Sequence, residues 1–234
     1  METGYERVRA HDGGEFDAFC ARPAGRAPGI VLFQEIFGVN DNMRGLAIRL
    51  AEAGHLAIVP DMFWRIQPRF ERKDESGLTD GMAMLQKLDW GLAERDMTSV
   101  LAHVRGMSSC TGAVGAVGFC LGGSLAYLFA AGARVEGRGP DAAVAYYGSG
   151  IHQMLDRADS IDCPMLFHYG AQDPYIPADQ IDAVEAAVGE RFVVHRYPAG
   201  HAFSNWDAPS MYDEAAANLA WDRTLAFFAE HLRS

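Results

Sequence analysis

The chain has 234 residues, 49% hydrophobic and 22% charged, with 31 acidic against 20 basic side chains and a net charge of -11. That length supports a substantial core in a single domain over residues 1–234, and no linker, repeat or low-complexity tract divides it. The acidic balance argues against a phosphate-backbone partner, and Cys20, Cys110, Cys120 and Cys163 form no Cys-x-x-Cys pair, so no nucleic acid is expected and the thiols are expected to be free.

In chain order, two antiparallel strands come first, Tyr5 to Arg9 and Glu15 to Ala21, joined at Asp12-Gly13-Gly14. A repeated β-α alternation follows: strand Gly29 to Phe33, helix Met43 to Ala53, strand Leu56 to Pro60, helices near Asp80 to Leu88 and Leu92 to Val104, then strand Ala113 to Phe119 with a helix running to Ala131. Strands Ala142 to Tyr147, Met165 to Gly170 and Arg191 to Tyr197 complete the pattern. A final helix from about Tyr212 to Leu232 has Leu219, Trp221, Leu225 and Phe228 among its apolar positions. The class is α/β, a mostly parallel central sheet flanked by helices with antiparallel strands at the N-terminus.

Met107 to Ala133 carries no charge and is long enough for a membrane span, but its six glycines suit a buried strand, a tight turn and a packed helix instead. No basic or apolar leader pattern opens the chain, so a cytoplasmic protein without membrane association is expected. A monomer is the expected state.

The most informative segment is Gly118-Phe119-Cys120-Leu121-Gly122-Gly123 between a strand and a helix, the pattern of a nucleophile elbow. Glycines two before and two after Cys120 remove side chains that would clash, and the helix N-terminus offers partial positive charge and free N–H groups to a thiolate or an oxyanion. A lone cysteine in such a string is often only a small buried hydrophobe. Chain order raises its standing: Asp173 follows the strand ending at Gly170, and His201 follows the strand ending at Tyr197, giving nucleophile, acid and histidine at one edge of the sheet. Singly, Asp173 could be a turn former before Pro174 and His201 an idle loop residue. The other seven histidines lack comparable context, and none has metal-ligand spacing, so no metal or cofactor is indicated. In this type of fold the loop after the first central strand supplies half of the oxyanion hole, which makes the Ile36 N–H a candidate beside that of Leu121.

Gln34-Glu35-Ile36-Phe37-Gly38-Val39-Asn40, the elbow, Gln172-Asp173 and Gly200-His201-x-Phe203, with Asp12-Gly13-Gly14 and Tyr146-Tyr147-Gly148, together resemble the dienelactone hydrolase family over nearly the whole chain. The resemblance implies the α/β-hydrolase fold, a triad of Cys120, Asp173 and His201, Glu35 as a carboxylate near the thiol, and the N–H groups of Ile36 and Leu121 as the oxyanion hole. It also implies a thiol held neutral until substrate arrives; from the residues alone, Glu35 could equally be a loop-capping group. The expected activity is hydrolysis of a small activated ester or lactone through an acyl-thioester. A broad small-acyl carboxylesterase or thioesterase, and a ligand-binding relative with little turnover, are the alternatives.

Phe37, Trp64, Arg65, Tyr147 and Phe203 are the candidate substrate-binding residues, with Phe63 and Trp206 further aromatics in loops and Arg69, Arg72 and Lys73 a basic loop. Core packing or solvation is the ordinary alternative for each. Two arginines that the family sets against a substrate carboxylate fall here on Asn205 and near Leu78. Poor hydrolysis of carboxylated lactones is therefore expected, with Arg65 the substitute anchor if an acidic substrate persists.

Overall fold

Eight strands form one sheet in the order β1-β2-β4-β3-β5-β6-β7-β8 in the computed structural model, which describes residues 1–73 and 75–232. β1 (Glu2–Arg9) pairs antiparallel with β2 (Glu15–Arg22), which pairs antiparallel with β4 (Leu56–Pro60). From β4 through β3 (Ala27–Phe33), β5 (Cys110–Phe119), β6 (Ala142–Tyr146), β7 (Met165–Gly170) and β8 (Val193–Tyr197), every pairing is parallel. The central strands read as continuous apolar runs because helices cover both of their faces. All five residues of β6 and all six of β7 are buried.

Three of the α-helices form where an apolar stripe follows a capping side chain. Asn40 caps α1 (Asp41–Glu52) by accepting from the Met43 N–H, and Met43, Leu46, Ala47 and Leu50 make its buried face. Asp89 caps α3 (Trp90–Gly106) through the Leu92 N–H, and Asp213 caps α6 (Glu214–His231) through the Ala216 N–H. Between them lie the short α2 (Leu78–Lys87), the almost wholly buried α4 (Leu121–Gly132) and α5 (Ala178–Val188). No helix among the described residues is long and apolar enough to cross a membrane; the uncharged stretch before Ala133 divides into β5 and α4.

Two features depart from the sequence expectation. The region of α5 was not expected to be helical: its apolar stripe is only Ile181, Val184 and Val188, and the intervening alanines carry little signal. In α6, Trp221 and Phe228 are buried as expected, but Leu219 is exposed, because the buried face passes through Ala216, Ala217, Ala220 and Thr224. Leu219 lies two residues from Trp221, roughly 200° around the helix.

The chain direction of the parallel strands fixes where chemistry can gather. Phe33, Phe119, Tyr146, Gly170 and Tyr197 end adjacent strands at one edge of the sheet. The loops that leave them carry Glu35, Cys120, Tyr147, Asp173 and His201.

Candidate active site

β5 ends at Phe119 and α4 starts at Leu121, leaving Cys120 in the turn with φ 54° and ψ -116°. A side chain seldom adopts that conformation, and here the backbone over-determines it. The Cys120 N–H donates to the Tyr146 carbonyl at 3.1 Å, and the Cys120 carbonyl accepts from the Gly123 N–H at 2.9 Å. A methyl group on Gly118 would collide with the Gly122 carbonyl, and one on Gly122 with the Phe33 carbonyl. Backbone therefore packs directly on backbone where β3, β5 and α4 cross. Tyr147 and Ala202 also have positive φ, so three of the five such non-glycine residues among those described surround this one site.

The loops bearing Asp173 and His201 are stitched together by the Ala171 N–H to the Tyr197 carbonyl at 2.7 Å and the Gln172 N–H to the Ala199 carbonyl at 3.0 Å. Asp173 accepts through Oδ1 from the N–H groups of Tyr175 and Ile176, at 2.8 and 3.2 Å. Its Oδ2 lies 2.7 Å from His201 Nδ1, and His201 Nε2 lies 3.2 Å from Cys120 Sγ. Burial disfavours a charged His201, but the Cys120 sulfur and the Asp173 carboxylate outweigh it and hold the imidazole pKa well above its ordinary range. The arrangement can move a proton between sulfur and imidazole while the carboxylate orients the ring.

Glu35 is buried beside this chain of groups. Asn205 Nδ2 donates to its Oε2 at 2.6 Å and the Tyr147 hydroxyl to its Oε1 at 3.4 Å, so its partners are side chains rather than the loop backbone. Burial pushes its pKa up to about 7, against the opposing pull of His201 and of the Asn205 and Tyr147 hydrogen bonds. The carboxyl thus changes charge near neutral pH. Gln34 positions this loop, accepting from the Met62 N–H at 3.0 Å and donating to the Glu35 carbonyl at 3.3 Å.

A cavity of about 320 Å³ opens over Cys120 and His201 and is lined by Glu35, Ile36, Phe37 and Leu121 as well. Those six were expected at the site. Tyr147 and Phe203 were expected to touch substrate, and neither lines the cavity: both are fully buried. The Tyr147 ring lies 5.1 Å from that of His201, and Phe203 packs among Tyr146, Tyr147 and Tyr197, so they support the site from beneath. Trp64 and Arg65 are elsewhere. The Trp64 ring stacks on Phe16 at 5.2 Å and its Nε1 donates to Asp96.

Arg65 forms a two-pronged pair with Asp96 at 2.7 and 2.8 Å, reaches Asp12 at 2.7 Å and lies over the Trp64 ring. It does not line the cavity. Because Asp96 is buried, Arg65→Ala should destabilise the fold by about 2 kcal/mol in denaturant titration while leaving kcat for any hydrolysed ester unchanged.

The cavity also contains residues that the sequence did not single out, chiefly Met82, Leu85, Trp90, Tyr175 and Met211. Tyr175, whose ring meets that of His201 edge-on at 5.1 Å, lies two residues after Asp173 and was legible by the same proximity that marked Phe37. The others come from distant elements and carried no local signal.

The dienelactone hydrolase family model matches residues 16–232. A carboxymethylenebutenolidase of Pseudomonas putida is 36% identical over 228 residues, covering 95% of this chain and 94% of its own. Carboxymethylenebutenolidase 1 of Cupriavidus pinatubonensis is 30% identical over 234 residues, covering 98% and 97%. A solved structure assigned as a dienelactone hydrolase, from Klebsiella pneumoniae subsp. pneumoniae, superposes with a TM-score of 0.84 at 30% identity, covering 97% of this chain and 98% of that one. Sheet order, elbow and full-length likeness agree: the chain is an α/β-hydrolase-fold protein that belongs to the dienelactone hydrolase family.

Proposed function

We propose that the protein hydrolyses a small activated ester or lactone by covalent catalysis at Cys120. The observation that carries this reading is the continuous hydrogen-bonded line from Asp173 through His201 to Cys120 Sγ, ending on a sulfur that faces the cavity. His201 takes the thiol proton as sulfur attacks the acyl carbon, and Asp173 stabilises the imidazolium that results. The oxyanion forms against the N–H groups of Ile36 and Leu121, the latter among the unpaired donors of the first turn of α4. Collapse expels the leaving group, which receives the proton from His201. Water, deprotonated by the same imidazole, then attacks the thioester; collapse breaks the acyl–sulfur bond, releases the acid, and the Cys120 sulfur takes the proton back from His201.

A sulfur nucleophile restricts the substrate. The first tetrahedral intermediate expels thiolate, and so reverts to substrate, more readily than it expels a basic alkoxide; acylation therefore goes forward only when the competing leaving group is itself stabilised, as an enolate or phenolate is. Unactivated alkyl esters and amides should turn over poorly.

Pre-steady-state assay with an activated aryl ester tests the reading. A burst of phenolate stoichiometric with enzyme is expected, and quenched protein should carry one acyl group on Cys120 by peptide mass. Steady turnover with no adduct on Cys120 would remove the covalent mechanism.

A further inference from the structure

None of the fifteen residues lining the cavity is lysine or arginine, and its ionisable groups, Glu35, Cys120, Tyr175 and His201, lie at or beside the reacting centre. Apart from Ser124, whose hydroxyl donates to the Ser149 carbonyl at 2.6 Å, and Ser149 itself, the rest of the wall is apolar, and three of its side chains come from one helix. Leu78, Met82 and Leu85 stand at positions i, i+4 and i+7 of α2 and present a single stripe to the cavity. α2 sits close because Gly81 has no side chain: a methyl group there would lie 2.7 Å from the Ile36 carbonyl and 3.1 Å from the Ile36 side chain. The helix that shapes the cavity is thus seated on the loop that bears the Ile36 N–H.

The mouth is apolar too. Leu78, Met82, Trp90 and Tyr175 are between 38% and 53% exposed, and they are four of the eight large exposed hydrophobic residues among those described. Such a concentration around one opening, on a chain of net charge -11, marks a surface that a ligand covers rather than scattered surface apolarity. Two arginines of the loop that follows β4 are committed elsewhere: Arg72 pairs with Asp80 at 2.8 Å, and Arg65 is held by Asp96 and Asp12. Asn205, the polar residue behind Glu35, is neutral and directs its amide to that carboxyl.

We propose that the site takes uncharged activated esters or lactones with an apolar alkyl or aryl substituent lying between the α2 stripe and Tyr175, and discriminates against substrates bearing a carboxylate. This rests on the hydrolase reading above and adds the substrate class. A carboxylate entering the cavity would lose water and meet no cation but His201, which Asp173 and Cys120 already engage, whereas an apolar substituent removes both its own surface and that of the rim from water.

The test measures kcat/KM for nitrophenyl acetate and nitrophenyl hexanoate, and for an enol lactone as its free carboxylate and as the methyl ester of the same skeleton. The hexanoate should exceed the acetate by at least about tenfold, since each buried CH₂ contributes roughly a factor of four. The neutral lactone should exceed the acid by a similar factor. Met82→Ala should flatten the chain-length preference, and Leu78→Arg should shift the acid-to-ester ratio toward the acid by about tenfold or more, as expected for one new charge-assisted contact. Both positions are partly exposed, so the variants should fold. Calorimetric binding of the same lactone pair to Cys120→Ala separates the two readings. If no compound is turned over but the neutral lactone binds tighter, the substrate class stands and the hydrolase reading falls. Equal or faster turnover of the free acid, unmoved by Leu78→Arg, overturns the substrate class and leaves hydrolysis intact.

Discussion

Cys120→Ala should lower kcat for an activated aryl ester by roughly 10⁴-fold or more, since removing the nucleophile from a triad leaves only the rate enhancement of binding and the oxyanion donors. The substitution is a clean one for this fold. Alanine inherits the φ of 54° no worse than cysteine does, and the turn is fixed by main-chain bonds to Tyr146 and Gly123 that the side chain does not touch. The variant should unfold at nearly the wild-type denaturant concentration, and the burst and the mass adduct should both vanish. Cys120→Ser is less informative, because His201 Nε2 stands 3.2 Å from a sulfur and a shorter C–O bond withdraws the hydroxyl from it. Wild-type turnover in Cys120→Ala would mean that hydrolysis proceeds through directly activated water.

The residues that the sequence placed well are those whose chemistry is tied to backbone geometry. Cys120 was legible because an elbow needs Gly118 and Gly122, and the structure shows which carbonyls those glycines admit. Asp173 and His201 followed from their position just beyond strands β7 and β8, and a parallel sheet brings such positions together. Side-chain partners across the chain were not legible. Trp64 and Arg65 were assigned to substrate, yet Asp96, thirty-one residues beyond Arg65, and Asp12 in the turn between β1 and β2 hold that pair beside the hairpin turn and outside the cavity lining. The wall of the cavity was hidden for the same reason. Its apolar residues on α2 were not singled out as cavity residues, and it is Gly81 that seats their helix on the Ile36 loop.

Glu35→Gln should stabilise the protein, and by an amount that grows with pH. The fully buried carboxyl ionises near 7 in the fold instead of at its ordinary 4.5, because burial disfavours the charged form more than His201, Asn205 and Tyr147 favour it. Below about pH 4.5 the group is protonated in folded and unfolded chains alike and contributes no difference. Between 4.5 and 7 the unfolded chain releases the proton while the fold retains it, so stability falls as pH rises; above 7 the full penalty persists. The gap corresponds to on the order of 3 kcal/mol. Glutamine has no such transition and still offers an oxygen to the Asn205 amide, so the stability difference between variant and wild type should be near its minimum at about pH 4.5 and largest above about pH 8. Denaturant titrations at both ends measure it, and the other ionisable groups largely cancel between the two proteins. A second measurement on the same pair assigns Glu35 a part in the chemistry. If its charge acts on the sulfur across the cavity, the pH profile of Cys120 alkylation in the wild type should contain a transition near 7 that Glu35→Gln lacks. A pH-dependent stability gain with identical alkylation profiles would make Glu35 a buried structural carboxyl and leave proton transfer at Cys120 to His201.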